Sequence, residues 1–220
     1  MNKLFGFLPA AALACALSEA KAAPLPDPVF DAPLEVGEKA APQSIVLAGG
    51  CFWGVQAVFQ HVRGVSEVLS GYAGGSQATA RYEKVSQGGT GHAEAVLVIY
   101  DPSKVSLGKL LKVFFSVAHD PTQKDRQGPD VGTQYRSAVF PSDDSQAAIA
   151  KAYIEQLDAA GVFPKPIATN IEPLRKFYPA EPYHQNYVRK NPGNGYVAAH
   201  DLPKLASLGK VFPELFVISQ

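Results

Sequence analysis

The sequence has almost no cysteine: its 220 residues hold Cys15 and Cys51 and no others. Once the N-terminal segment that holds Cys15 is set aside, the one cysteine left excludes an intramolecular disulfide framework. It also excludes a thiolate-rich structural zinc site, and His61, His92, His119, His184 and His200 include no pair at helical ligand spacing, so no metal and no cofactor are expected. Net charge is missing too, because 20 basic residues balance 20 acidic ones. Without a long-range field or a basic stripe, neither nucleic acid nor an anionic membrane is an expected partner, and the substrate must be recognised locally. The apolar stretch at the start, Leu4 to Leu17, is too short to span a bilayer comfortably.

That opening stretch has its own meaning. Met1-Asn2-Lys3, the apolar run and Ala20-Lys21-Ala22 form the basic start, greasy middle and small-residue cleavage site of a secretory signal, assigned to residues 1–22. Two other readings stay open: a buried N-terminal helix, and lipid attachment at Cys15 after Ala12-Leu13-Ala14. Residues 23–43, with five prolines and no apolar period, read as a disordered lead. Residues 44–220 then form one catalytic domain, large enough for a substantial core. An exported, periplasmic monomer is the expectation. With the signal removed, Cys51 is the only cysteine left, and it is either inert core or a reactive thiol.

The body alternates strands and helices. Ser44 to Ala48 reads as a buried strand, Gly49-Gly50 as a turn, and Val55, Val58, Phe59 and Val62 as one face of a helix, which puts Cys51 at or just before the helix start. Val65 to Tyr72 reads as a second strand. His92 to Tyr100 is apolar on both faces and hence central, with Glu94 inside it. Ser106 opens a helix through Leu107, Leu110, Leu111, Phe114 and Val117, and Arg136 to Phe140 is another strand. Ser142 caps a helix whose buried face is Ala147, Ala150, Ile154 and Leu157, ended by Gly161, and Ile167 to Ile171 is the last strand. Leu205, Leu208, Val211, Phe212, Leu215 and Phe216 space like an amphipathic tail helix packed on the body. The pattern predicts an α+β fold, a compact two-layer sandwich with a ferredoxin-like (split βαβ) core and a mixed sheet.

A cysteine after two glycines and at a helix start lies near unpaired amide N–H groups, which favour thiolate over thiol. Phe52 and Trp53 are either ordinary core or the walls of a pocket for a small apolar group. Here a resemblance becomes specific. Gly50-Cys51-Phe52-Trp53-Gly54 resembles the active-site signature of the peptide methionine sulfoxide reductase A family, a pentapeptide expected by chance on the order of once in ten million positions. Tyr82-Glu83, Thr90-Gly91-His92-Ala93-Glu94-Ala95, Gly132-Thr133-Gln134-Tyr135-Arg136-Ser137 and Tyr183-His184-Gln185-Asn186-Tyr187 follow in the family's order, so the similarity covers roughly residues 44 to 192.

The resemblance implies reduction of methionine sulfoxide, as the S epimer, in proteins and as the free amino acid. It implies Cys51 as nucleophile, Glu94 as proton donor, Tyr82 and Tyr135 as hydrogen-bond donors to the sulfoxide oxygen, Asp130 as support for the polar side, and Phe52 and Trp53 as the holders of the substrate methyl. The chemistry is coherent. Sulfoxide oxygen leaves only when protonated, so thiolate attack needs an acid nearby, and Glu94 in an apolar strand should be desolvated and partly neutral, with repulsion from the thiolate acting in the same direction. Attack leaves Cys51 as a sulfenic acid.

Relatives often carry resolving cysteines, but Val197 and Ser86 occupy those positions here. The sulfenic acid must then be reduced by an external thiol: a thioredoxin-like protein, a glutaredoxin or a small thiol. Two rival readings remain: a cysteine hydrolase using His92, His119 or His184, and a binding module in which Cys51 is merely buried.

Overall fold

The computed structural model describes residues 25–34 and 41–218, so the signal assigned to residues 1–22 lies outside the described residues. β1 (Gln43–Gly49) sends Ile45 and Leu47 to one face of the sheet and Val46 and Ala48 to the other. After it come α1 (Phe52–Gln60), β2 (Val65–Ala73), α2 (Tyr82–Val85) and β3 (Ala93–Tyr100). β3 inserts between β1 and β2, antiparallel to both, which splits the β1-α1-β2 unit. α3 (Leu107–Val113) runs on into a π-helical turn, Phe114–Ala118, and a two-stranded ribbon of β4 (Arg126–Gln127) and β5 (Asp130–Val131) follows. β6 (Ser137–Phe140) pairs antiparallel with the other side of β1. The order β6-β1-β3-β2 is the expected ferredoxin-like core.

α4 (Asp144–Ala159), β7 (Asn170–Ile171) and β8 (Phe177–Pro179) come next, with β7 parallel to β6 and β8 on the β2 edge, so the sheet is mixed. Helices α1, α3 and α4 share one apolar cluster with Ile45, Leu47, Val96 and Val98. The opposite face is covered by Leu174 and Phe177. α5 (Tyr187–Lys190), a π-helical turn Val197–Asp201 and α6 (Leu202–Val211) close the chain against α1.

Several expectations are corrected. Asp143, not Ser142, caps α4, its carboxylate accepting the Gln146 amide at 2.8 Å; a charged acceptor complements the helix N-terminus better than a hydroxyl. The buried face of α4 is rotated to Ile149, Ala150, Tyr153 and Leu157, because the Tyr153 ring is the largest apolar surface the helix can bury. The strand expected over Ile167 to Ile171 shrinks to Asn170–Ile171, bounded by Pro166 and Pro173, which lack an N–H for the ladder, and β8 is the last strand instead. The tail is not one helix: Phe212, Leu215 and Phe216 lie beyond α6, and Phe216 bridges to Val62.

The lead is not disordered over residues 25–34. Leu25 is buried, Tyr153 Oη donates to the Pro26 carbonyl, Asp27 pairs with Lys109 and Lys112, and Asp31 accepts from the Ser106 hydroxyl and, at 2.8 Å, from the Gly108 N–H. Prolines reduce the conformational freedom lost when such a segment docks. Asp31 thus caps α3 from a distant stretch of chain. Asp31→Ala is expected to cost about 1–2 kcal/mol in urea unfolding, as a lost cap does, whereas Asp27→Ala, whose carboxylate side chain is 67% exposed, should cost less than about 1 kcal/mol. Equal losses would contradict the capping role.

Candidate active site

The end of β1 delivers Cys51 to the N-cap of α1 through Gly50, whose φ of +89° needs glycine and whose missing Cβ would sit 2.5 Å from the Gln127 Cβ. The Cys51 side chain makes no hydrogen bond at the helix N-cap, and the nearby Trp53 amide favours the ionised sulfur. Only 8% of Cys51 is exposed. Burial, then the negative charges of Glu94 and Asp201, push the thiol well above its usual range, against the Trp53 amide and Lys204. The expected resting thiolate is therefore corrected: desolvation outweighs the helix terminus, and the thiol is protonated at neutral pH.

Glu94 is on the helix side of β3, directly opposite Tyr72 on β2, and is 2% exposed. Its Oε2 accepts the Phe52 N–H at 3.1 Å. That bond ties the carboxyl to the residue after Cys51, so covalent geometry keeps it within about 8 Å of Sγ. Burial pushes its pKa up to about 8, the Phe52 amide opposing and Asp130 reinforcing. The nearby charge that reinforces the shift is thus Asp130, where the sequence suggested the thiolate. At pH 7 the acid holds its proton.

Phenols line the polar side. Tyr82 opens α2, and its N–H donates to Glu181 Oε1 at 2.9 Å while Tyr72 Oη donates to Oε2 at 2.8 Å, so one carboxylate fixes both. Tyr135 ends the 3₁₀ turn Thr133–Tyr135. Burial and the field of Glu94 raise both the Tyr82 and Tyr135 phenols, and both also sense Cys51, which places them around the same point. They stay protonated as donors. Asp130, on the ribbon, accepts the Tyr196 hydroxyl.

The apolar side is built from rings. Phe52 lies 5.9 Å from Tyr72 and 5.1 Å from His184 between ring centroids. Trp53 stacks on Tyr187 at 3.7 Å and 8°, meets the edge of Tyr196 at 6.0 Å, and donates its indole N–H to His184 Nδ1 at 3.1 Å. Three neighbours therefore hold one half-buried ring in a single orientation.

Cys51, Phe52, Trp53, Tyr82, Glu94, Asp130 and Tyr135, drawn from five segments, are brought together. Sequence reasoning missed Tyr196, Tyr187, Glu181 and Tyr72. Tyr187 stood in a quoted motif without a role, and Tyr196 stood beside the Val197 position, but nothing local marked Glu181 or Tyr72. Of the histidines proposed for a hydrolase, His92 and His119 are committed outside the site, while His184 lies within it with its Nδ1 taken by the Trp53 indole. His92 bonds the Gly75 amide and the Ser76 carbonyl, His119 bonds Ser137 and the Phe114 carbonyl, and His184 holds Trp53.

Folded Glu94 keeps its proton up to about pH 8, while in the unfolded chain it ionises near 4.5. The wild type is therefore expected to lose stability relative to Glu94→Gln as pH rises from about 5 to 8, by on the order of 4 kcal/mol in full, and to level off above. Urea unfolding of both proteins at pH 5, 7 and 9 checks this; a pH-independent difference would contradict a buried neutral carboxyl.

Comparison with known proteins agrees with this geometry. Residues 43–214 match the family described as peptide methionine sulfoxide reductase. The chain is 57% identical over 181 residues to peptide methionine sulfoxide reductase MsrA 2 of Mesorhizobium japonicum, covering 81% of this chain and 93% of that one. It is 52% identical over 181 residues to the protein of the same name from Synechocystis, covering 82% and 85%. The crystal structure of Mxr1 from Saccharomyces cerevisiae in reduced form matches with a TM-score of 0.63 and 37% identity, over 72% of this chain and 91% of that one. A family match over most of the chain joins the convergence of Cys51, Glu94 and their aromatic frame: the chain belongs to the peptide methionine sulfoxide reductase family.

Proposed function

We propose that the protein reduces methionine sulfoxide, the S epimer, in proteins and as the free amino acid, to methionine, with Cys51 as nucleophile and Glu94 as acid. The observation that carries this is the neutral Glu94 carboxyl hydrogen-bonded to the amide next to Cys51. Phe52 and Trp53 take the substrate methyl; Tyr82 and Tyr135 donate to its oxygen, with Asp130 behind them. Sγ attacks the sulfoxide sulfur as Glu94 gives its proton to the oxygen, and the proton leaving Cys51 restores Glu94. A Cys51 S–O bond then replaces the substrate S–O bond. Methionine leaves, reduced by two electrons, and Cys51 becomes the sulfenic acid.

Cys51 is the only free cysteine among the described residues, and Val197 is fully buried. An external thiol, from a thioredoxin-like protein, a glutaredoxin or a small molecule, therefore attacks the sulfenic sulfur, expels water, and a second thiol releases Cys51 as a disulfide leaves. We further propose that residues 1–22 direct export to the periplasm, where the protein works as a monomer and needs a dedicated reducing partner.

With dabsyl-methionine sulfoxide and dithiothreitol, Cys51→Ser should form no product, and Glu94→Gln should slow the reaction roughly 10²–10³-fold. Wild-type kcat/KM should fall as pH rises through about 8, where Glu94 loses its proton, and Glu94→Gln should lack that limb. Single turnover without reductant should yield a dimedone adduct at Cys51. No methionine and no adduct would sink the proposal.

A further inference from the structure

The C-terminal segment sets a charge pair against the nucleophile's helix. Asp201, at the end of the π-helical turn, is 0% exposed, and neither of its carboxylate oxygens has a hydrogen-bond partner among the described residues. Its ionic partner is Lys204 Nζ at 3.7 Å, on a side chain 18% exposed. Both groups reach α1 at Gly54, where a Cβ would collide with Asp201 Oδ1 and come 2.9 Å from Lys204 Nζ. Gly54 is one helical turn from Cys51, so the pair stands beside the thiol. An apolar pair would pack this contact at lower desolvation cost.

We propose that Lys204, held by Asp201 against Gly54, is a positioning residue that supplies the positive charge assisting ionisation of Cys51, so that α6 works in the site as well as packing on it. This rests on Cys51 being the nucleophile. The groups facing the thiol are Glu94 from β3, Tyr82 from α2, Tyr135 from its 3₁₀ turn, Tyr196 and Asp201 from the tail, and Lys204 from α6, with Asp130 of the ribbon acting on Glu94. Only Lys204 among them is a cation. Asp201 also faces His200, and Lys204 faces His119, which burial keeps neutral by lowering it to about 3. Burial lifts Asp201 to about 6, so it is charged at neutral pH and above and opposes Lys204 there.

The test is the pH profile of Cys51 alkylation by iodoacetamide in the folded, mature chain. Lys204→Met should move its midpoint up by about one pH unit, Lys204→Arg should restore the wild-type profile, and Asp201→Asn should move it down. Opposite signs from two neighbouring substitutions are what a packing role alone does not produce. Superimposable Lys204→Met and wild-type profiles, or equal shifts in Lys204→Met and Lys204→Arg, would overturn the proposal. If Lys204→Met does not fold, an unmoved Asp201→Asn profile overturns it as well. Parallel sulfoxide assays keep the two readings apart, because failure of the proposed activity appears as missing methionine with the alkylation shifts still present.

Discussion

Withdrawal of one carboxyl from water, within reach of one sulfur, is the constraint on which the site depends. Glu94 occupies the central strand, walled by β1 and β2 and roofed by the start of α1, so solvent cannot share its charge. On an exposed strand the same residue would ionise near 4.5 and have no proton to give at neutral pH. The same burial acts on Cys51 in the opposite functional sense, since it keeps the nucleophile protonated. A dry cleft therefore makes a good acid and a reluctant thiolate together. Compensation comes from the amide at the helix start and, as inferred, from the tail.

The two walls solve different problems with similar residues. Tyr82, Tyr135 and Tyr196 use their hydroxyls, and Glu181 and Asp130 fix that polar side by accepting from Tyr72, the Tyr82 amide and Tyr196. Phe52, Trp53 and Tyr187 use their faces. His184 joins the walls, accepting from the Trp53 indole while its own ring packs against Phe52 and Tyr82. Neither wall stands without the C-terminal third of the chain, which supplies Glu181, His184, Tyr187 and Tyr196.

Strong periodicity made the core legible. β1, α1, β2, β3 and β6 all lie where alternation and helical spacing put them, and the Gly50-to-Gly54 signature located the nucleophile. The errors fall where local pattern competes with tertiary contact. Residues 25–34 look like spacer by composition, and Lys109, Lys112, the Ser106 hydroxyl and the Gly108 amide, far along the chain, give Asp27 and Asp31 their partners. Phe177-Tyr178-Pro179 is too short and too close to proline to announce a strand, yet it pairs with β2. Asp201 and Lys204 carry no motif at all; their proximity to Gly54 exists only once α6 has packed. The thiol's protonation was misjudged because a helix terminus is visible in sequence and the depth of burial is not.

Trp53 is the only tryptophan in the chain. Its emission therefore arises entirely from the wall of the cleft, with one face against a phenol and the indole nitrogen bonded to imidazole. Any guest that displaces solvent from the open edge of that ring, or any change in the oxidation state of the sulfur two residues away, will register as intrinsic fluorescence, on the timescale of mixing rather than of product analysis.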